Sequence, residues 1–227
     1  IKNLGTMVIN DGVTVKQLNE KSSAVANGCQ NKSEYTGSEV KLTINGGTFV
    51  QGLITIKNDE CGVLEINGGS FKNIKGNYTV FNWNKAVIND GTFEANYVVG
   101  NGKYNENAIG DLDINGGTFN GIICPDQASP GYTPYPSEDI SISGGTFSED
   151  VSKYCVDKHF ASKNSDGKYE VKNIVDIDAP VTSLYKKDKK TTSYATGTNY
   201  TLINDYSDND KIVLFYTLDG SDPTTST

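Results

Sequence analysis

The sequence predicts an all-β chain whose larger part is a parallel β-helix of about six turns. A unit of the form Ile-Asn/Ser-Gly/Asp-Gly occurs six times in the first two thirds of the 227 residues. Successive unit isoleucines are 35, 22, 22, 26 and 28 residues apart, and such periods are typical of solenoids. Between the units, apolar and polar residues alternate with period two, which indicates strands. The register isoleucines are Ile9, Ile44, Ile66, Ile88, Ile114 and Ile142.

Each repeat contains short strands separated by corners of one to three residues. In the second repeat, the runs LTI, GTFV and LITI are separated by NGG and QG. Corners this short do not form a hairpin at every turn of the chain. We therefore expect the strands to wind around one axis and to pair with their equivalents in neighbouring turns, at a spacing of about 4.8 Å.

Asparagine and phenylalanine recur after the register isoleucines and predict two columns along the axis. The corner requires positive φ, which Gly adopts without strain and Asn tolerates next best. Stacked asparagine amides hydrogen-bond from turn to turn as a ladder, and the phenylalanines stack inside as a core column. The motif is therefore interpreted as structural. The predicted ladder is Asn10, Asn45, Asn67, Asn89 and Asn115, and the predicted core column is Phe49, Phe71, Phe93, Phe119 and Phe147.

Two longer stretches carry a family resemblance. The units INGGTFNG and ISGGTFSEDVSKYCVDKHFASKNSDGKYEV resemble the pectate-lyase-like, right-handed β-helix repeats of large secreted or wall-attached proteins of gut bacteria. The resemblance covers residues 1–173, and unit 142–172 resembles the segment that ends such arrays. It implies a right-handed solenoid and a secreted or cell-surface location. It does not imply one activity, because such arrays accompany many functions.

Residues 174–227 are predicted to form a second domain. The end of the chain, IVLFYTLDGSDPTTST, resembles the small Ig-like module at the C-terminus of chitobiases and β-hexosaminidases. Its LDGSDP segment is typical of a hairpin turn, in which Gly220 supplies the turn geometry. The family's module continues with further strands. We therefore expect an incomplete Ig-like module, within a longer parent chain that carries further domains.

The charge of the chain argues against two classes of partner. The formal net charge is −8 and the isoelectric point is about 4.7. Nucleic acids and anionic lipid surfaces both require a basic patch, so neither is expected as a partner. No stretch approaches the roughly 20 apolar residues that a membrane-spanning helix needs, so no membrane insertion is predicted.

Insertions between the repeats are the predicted binding surface. The shortest steps show that a turn needs only 22 residues, so extra length forms loops, where binding residues usually lie. Segments 28–39, 100–111 and 124–139 are the long insertions, and the last two leave one face on adjacent turns. Their tyrosines and carboxylates predict a patch for a glycan, such as a host or cell-wall polysaccharide. The alternative is that Tyr and Pro fold the loops onto the rod. The candidate ligand-binding residues are Tyr104, Tyr132, Tyr135, Asp126, Glu138 and Asp139.

Four cysteines lie near equivalent positions of neighbouring turns. Cys29, Cys61, Cys124 and Cys155 have no CxxC spacing, so no zinc site is predicted. Their register predicts disulfides Cys29–Cys61 and Cys124–Cys155, in keeping with an oxidising extracellular setting. The alternative is reduced, buried thiols.

The sequence contains no recognisable catalytic motif. Glu65 and Asp113 precede register isoleucines two turns apart, about 9.6 Å by the strand spacing, which inverting glycosidases accept. Val87 lies between them, so we interpret this face as solvated, and we interpret Asp59 and Glu60 as a solvated corner. No catalytic residue, metal or cofactor is predicted.

The predicted function is display, adhesion or glycan binding by a secreted or cell-surface bacterial protein, with no chemistry of its own. One alternative is a polysaccharide lyase or glycoside hydrolase of the β-helix type. Another is a passive structural stalk.

Overall fold

The computed structural model describes residues 1–30, 37, 39–105, 108–123, 135–136, 139–173, 183–186, 189–191 and 201–203. For residues 77, 103–105, 108 and 135–136 and for those after 173, the description covers the backbone alone. Strands dominate these residues, together with one short 3-10 turn at Ser152–Tyr154. The chain divides into two compact units, Ile1–Ile174 and Val175–Thr227.

The repeated units form a parallel six-stranded sheet, the front sheet, with one strand from each repeat. Each register isoleucine pairs with the isoleucine of the next repeat, from Ile9 through to Ile142. Five complete turns of chain separate the first and last strands, which confirms the predicted all-β, parallel solenoid. The strands of the front sheet are β2 (Thr6–Ile9), β5 (Val40–Ile44), β8 (Gly62–Ile66), β10 (Lys85–Ile88), β13 (Asp111–Ile114) and β16 (Ile140–Ile142).

The rest of each turn contributes to a larger sheet, the wrapped sheet, which closes the solenoid. It contains thirteen strands. Its short strands are β1 (Lys2–Asn3), β3 (Thr14–Lys16), β4 (Val25–Asn27), β6 (Thr48–Val50), β7 (Ile54–Asn58), β12 (Ala108–Ile109), β15 (Tyr135–Pro136) and β17 (Gly145–Phe147). Its longer strands are β9 (Ser70–Asn82), β11 (Thr92–Asn105), β14 (Thr118–Ile123), β18 (His159–Lys163) and β19 (Tyr169–Asn173).

Strand β9 shows how one turn covers two successive walls. Its first residues pair with β6, starting at Ser70, whereas its last residues pair with β7, ending at Asn82. Strand β11 pairs with β9 along both parts. Each turn therefore contributes one strand to the front sheet and then two successive stretches to the wrapped sheet.

The predicted phenylalanine column fills the interior. Ring centroids of successive phenylalanines, from Phe49 to Phe147, are 4.7 to 4.9 Å apart, and the ring planes are within 6° of parallel. All five rings are at most 1% exposed. The centroid spacing equals the spacing of paired strands, because each ring occupies the same position in consecutive turns. This column is confirmed.

The corner after each register strand depends on the second glycine of the repeat. Gly69 has φ +114°, and a Cβ there would lie 3.0 Å from the carbonyl oxygen of Gly47 in the turn below. The first glycine position holds a side chain in two repeats, at Asp11 and Asp90, whereas a Cβ at Gly116 would lie 2.5 Å from the carbonyl oxygen of Asn89. The asparagines of the corner do not have positive φ. Among the described residues, the only non-glycine residues with positive φ are Gln51 and Lys158. Positive φ is thus the role of glycine alone.

The predicted asparagine ladder runs along the corner beside the front sheet. Each asparagine donates its side-chain N–H to the amide oxygen of the previous turn, at 2.7 to 3.0 Å. The ladder begins at Asn10, which accepts from Asn45, and it ends where the Ser143 hydroxyl donates to Asn115 at 2.8 Å. The ladder is confirmed, and it lies at the surface.

A second asparagine ladder, which the sequence analysis missed, lies inside the solenoid. Four side-chain amides each donate to the amide oxygen of the next turn at 2.7 to 2.8 Å, and the fifth, Asn101, donates to the main-chain carbonyls of Gly110 and Asp139. The same nitrogens also donate to main-chain carbonyls, as Asn27 does to Val63 and Asn58 does to Lys85. All five members are at most 4% exposed. They are Asn3, Asn27, Asn58, Asn82 and Asn101.

Parallel stacking changes to antiparallel pairing after β17. Strand β17 pairs antiparallel with β19, which also pairs antiparallel with β18. In the second unit, the described residues form an antiparallel sheet in which β20 (Ser183–Lys186) lies between β21 (Lys189–Thr191) and β22 (Thr201–Ile203).

The phenylalanine column is expected to supply much of the stability of the solenoid. Phe93→Ala removes a ring that is stacked on both sides, so we expect the free energy of unfolding to fall by about 3–5 kcal/mol. Chemical denaturation followed by circular dichroism measures this change. Thr92→Ala alters the exposed neighbouring residue and should cost less than about 0.5 kcal/mol. Equal effects of the two substitutions would contradict a core role for the ring.

The two ladders are expected to differ in their contribution to stability, because only one is shielded from water. Asn58→Ala leaves buried partners on both neighbouring turns unsatisfied and should cost about 2–4 kcal/mol. Asn45→Ala breaks equivalent bonds at the surface, where water replaces them, and should cost less than about 1 kcal/mol. Denaturation of the two matched variants measures the difference, and a larger loss for Asn45→Ala would contradict this account.

Candidate functional site

The two insertions with the predicted tyrosines join a small β-extension of the solenoid wall. Strand β11 continues past Asn101, and there it pairs antiparallel with β12 and with β15. Lys103 lies opposite Tyr135 in this pairing, and Tyr104 is the next residue along β11. The backbone therefore brings Tyr104 and Tyr135 onto adjacent strands, although they come from different turns. We call strands β11 (from Gly102), β12 and β15 the tyrosine extension.

Only part of the predicted patch lies within the described residues. For Tyr104 and Tyr135 the description is of the backbone, whereas Asp126, Tyr132 and Glu138 lie outside the described residues. Asp139 is exposed, and its main-chain carbonyl accepts hydrogen bonds from the Asn101 side chain and from the Leu112 main chain. The end of the second insertion is thereby tied to the buried ladder and to the front sheet. The contact of these side chains with a ligand stays a prediction.

The outward carboxylates of the front sheet lie where the register predicts. Val87 pairs with Glu65 on one side and with Asp113 on the other, so the two carboxylates are two strands apart. Glu65 accepts a hydrogen bond from Asn67 at 3.3 Å and lies 3.6 Å from the ammonium group of Lys41. These contacts place Glu65 in a surface network and do not pair it with Asp113.

The corner with Asp59 and Glu60 is buried, so the interpretation of a solvated corner is wrong. The two residues are 6% and 4% exposed. Asp59 forms an ion pair of 2.8 Å with Lys57, whose ammonium group also lies 5.3 Å from the centroid of the Trp83 ring. An ion pair and a cation–π contact together compensate for the loss of water around this lysine.

A cleft of about 560 Å³ lies beside this corner, on the outer face of the first strands of the wrapped sheet. Lys2, Ala26 and Lys57 are consecutive partners on β1, β4 and β7, and they form one side of it. The chain segment after β3 supplies Gln17 and Lys21. The volume is within the range of small-molecule sites, roughly 300–1,000 Å³. The charged and amide side chains that line the cleft are Lys2, Gln17, Lys21, Gln30, Lys57 and Asp59.

The sequence analysis missed this cleft because its residues share no spacing. Lys2, Lys21 and Lys57 have no common period, and only the winding of the chain brings them together. Only one feature of the sequence pointed to this cleft. Lys57 follows the alternating run LITI, so its side chain had to lie on the outer face of a strand, beside the acidic pair at residues 59–60.

The first predicted cysteine pair is bonded in the structure. Cys29 and Cys61 form a disulfide with their Cα atoms 5.7 Å apart, as expected for residues on adjacent turns. The disulfide connects the chain just after Asn27 to the chain just after Asn58. Cys155 is half-buried, with its sulfur 3.8 Å from the carbonyl oxygen of Val151. Its predicted partner Cys124 lies outside the described residues, so that pair stays a prediction.

The described part of the chain lacks a membrane-spanning helix and a cluster of metal ligands. No helix there has the length and apolar character that a membrane crossing requires. No three His, Cys, Asp or Glu side chains of those residues come close enough together to hold a metal ion.

Comparisons with family models, with curated proteins and with solved structures find no match to this chain.

The Cys29–Cys61 disulfide is expected to stabilise the solenoid, because it closes a loop between residues 32 positions apart. Cys61→Ser should lower the free energy of unfolding by about 2–4 kcal/mol. Denaturation with and without reductant measures this, and peptide mapping without reductant should find the two cysteines in one linked fragment. If reductant leaves the stability of the unsubstituted protein unchanged, the disulfide does not stabilise the fold.

Proposed function

We propose that this chain is a glycan-binding module of a secreted or cell-surface bacterial protein, and that it carries out no chemistry itself. The solenoid is the scaffold, and the tyrosine extension is the binding surface. In this proposal the repeats belong with the pectate-lyase-like, right-handed β-helices. The second unit is then an Ig-like module.

One observation carries the proposal. Strand β11 pairs with β15, which belongs to the insertion of the next turn, so the two insertions are joined at Gly102–Pro136 and Lys103–Tyr135. Backbone pairing restricts the motion of these paired residues. Binding to a surface that is already ordered loses less conformational entropy, which favours affinity for a flexible ligand such as a polysaccharide.

The residue types in the extension and next to it suit a sugar. Tyrosine presents a flat apolar ring on which the C–H face of a sugar packs, together with a hydroxyl that takes part in hydrogen bonds. Carboxylates accept hydrogen bonds from sugar hydroxyls. Asp139 is exposed at the base of the second insertion, where such an acceptor is accessible.

The oxidised Cys29–Cys61 pair supports the proposed location. Disulfides form and persist in extracellular and periplasmic settings and are rare in the reducing cytosol of mesophiles. This disulfide ties together two turns of the same solenoid that displays the extension. The scaffold is thereby suited to conditions outside the cell.

The tyrosine rings are expected to carry glycan affinity. Binding of the 227-residue chain to an array of host, plant and cell-wall glycans identifies the ligand, and Tyr132→Ala/Tyr135→Ala should weaken that binding at least about tenfold. The matched variant Tyr132→Phe/Tyr135→Phe keeps both rings and should keep most of the affinity.

Two results would overturn the proposal. One is full affinity in the alanine variant, which would remove the tyrosines from the binding surface. The other is the release of reducing or unsaturated sugar ends during incubation, because release would mean that the chain cleaves what it binds. Retention of a glycan without release is the expected outcome.

A further inference from the structure

The cleft beside Lys57 has a local surplus of positive charge in an acidic protein. Three lysines and one carboxylate line it, whereas the whole chain has a formal charge of −8. Some lysines elsewhere in the solenoid lie beside carboxylates, as Lys41 does beside Glu65 and Lys72 does beside Glu94. Within the described residues, Lys2 and Lys21 have no such partner. An anion is therefore the ligand class that this cleft favours.

The ammonium group of Lys57 is held in a fixed position before any ligand arrives. The group is paired with Asp59 at 2.8 Å and lies 5.3 Å from the Trp83 ring centroid. The Lys57 side chain is only 17% exposed. An ammonium group that is already positioned loses little conformational entropy when it donates to an anion. Because Asp59 offsets its charge, the surplus positive charge of the cleft comes from Lys2 and Lys21.

The spacing of the lysines suits a ligand larger than a single ion. Lys2 and Lys57 lie on the same outer column of the wall with Ala26 between them, so their Cα atoms are separated by two strand spacings, about 9–10 Å. Gln17 and Gln30 add amide groups beside the charges. Amides recognise hydroxyl groups, so the cleft combines donors for an anion with partners for a polyhydroxyl body.

The number of cations in the cleft favours an anion with several free oxygens. Each of the three lysines carries a compact ammonium charge with three donors. A sulfate or phosphate ester presents three terminal oxygens, whereas a carboxylate presents two, so an ester offers one oxygen to each lysine.

We propose that this cleft binds a saccharide carrying a sulfate or phosphate ester. Lys57, Lys2 and Lys21 bind the ester oxygens, and Gln17 and Gln30 hydrogen-bond the sugar hydroxyls. The site is separate from the tyrosine extension, and the inference does not depend on the proposed function.

Calorimetric titration of the whole chain with one sugar in three forms tests the proposal. N-acetylglucosamine 6-sulfate and N-acetylglucosamine 6-phosphate are compared with unsubstituted N-acetylglucosamine, and glucuronate supplies a carboxylate. At least one ester should bind about tenfold or more tightly than the unsubstituted sugar and glucuronate, and added salt should weaken it. The stronger ester identifies the anion. Equal binding of all four, no binding of either ester, or tighter binding of glucuronate overturns the proposal.

Substitutions of the cleft residues test whether the ester binds in the cleft. Lys2→Gln/Lys21→Gln alters two exposed side chains, is expected to leave the fold intact, and should weaken ester binding at least about tenfold. Lys57→Gln/Asp59→Asn removes the buried ion pair as a unit and should weaken it further, whereas Lys72→Gln changes a lysine outside the cleft and should have no effect. Unchanged affinity in the Lys2/Lys21 variant overturns the proposal.

Two more measurements separate this site from the tyrosine extension. Trp83 is the only tryptophan of the chain and contacts Lys57, so its fluorescence should change when the ester binds. Tyr132→Ala/Tyr135→Ala should bind the ester with unchanged affinity. Loss of ester binding in that variant would mean that the ester binds to the extension, and it would overturn the proposal of a separate site. Loss of glycan-array binding with ester binding unchanged would bear only on the tyrosine extension.

Discussion

From Asn3 to Asn101, successive turns of the solenoid each place one asparagine amide in the interior, where water does not reach it. A buried amide that lacks partners costs about 1–3 kcal/mol, so a shift of one turn relative to the next would break several bonds at once. Asn58 donates to Asn82 and accepts from Asn27, and it therefore depends on both neighbouring turns. This requirement holds the turns in register, and the register in turn aligns the phenylalanine column and the pairing of the front sheet.

The same ladder explains how the solenoid accepts insertions of different lengths. Segments of different length follow Asn27, Asn58, Asn82 and Asn101, whereas the insertion at 124–139 follows Ile123. In each of these turns the ladder asparagine is hydrogen-bonded to its neighbours before the variable segment begins. The next strand of the front sheet then pairs in the same register as the strand before it. The disulfide between Cys29 and Cys61 joins two of these segments. Length also varies before the ladder position, since eight residues separate β3 from β4 but three separate β6 from β7. The cleft takes Gln17 and Lys21 from that earlier segment.

The described structure separates a repetitive scaffold from two non-repetitive surfaces. Because the repeated residues stack on their equivalents in neighbouring turns, they stabilise the solenoid. A surface made only of such repeats has few distinct side chains with which to recognise a particular ligand. Distinct chemistry arises where the repeats are interrupted, as at the antiparallel pairing of β11 with β15. It also arises where one outer column carries Lys2 and Lys57 beside the buried Asp59. Both surfaces rest on the wrapped sheet and take their geometry from it.

The sequence by itself determined the fold class, the surface ladder and the phenylalanine column, because these features repeat at a fixed distance from a recognisable Ile-Asn-Gly corner. The buried ladder was not predicted, because its members do not lie at a fixed distance from the repeat. Asn27 and Asn58 precede their next register isoleucines by 17 and 8 residues. Only the tertiary structure decided which lysines share a cleft and that Asp59 is buried. Burial and charge proximity depend on which turns are neighbours in space, and insertions of unequal length conceal that relation along the chain.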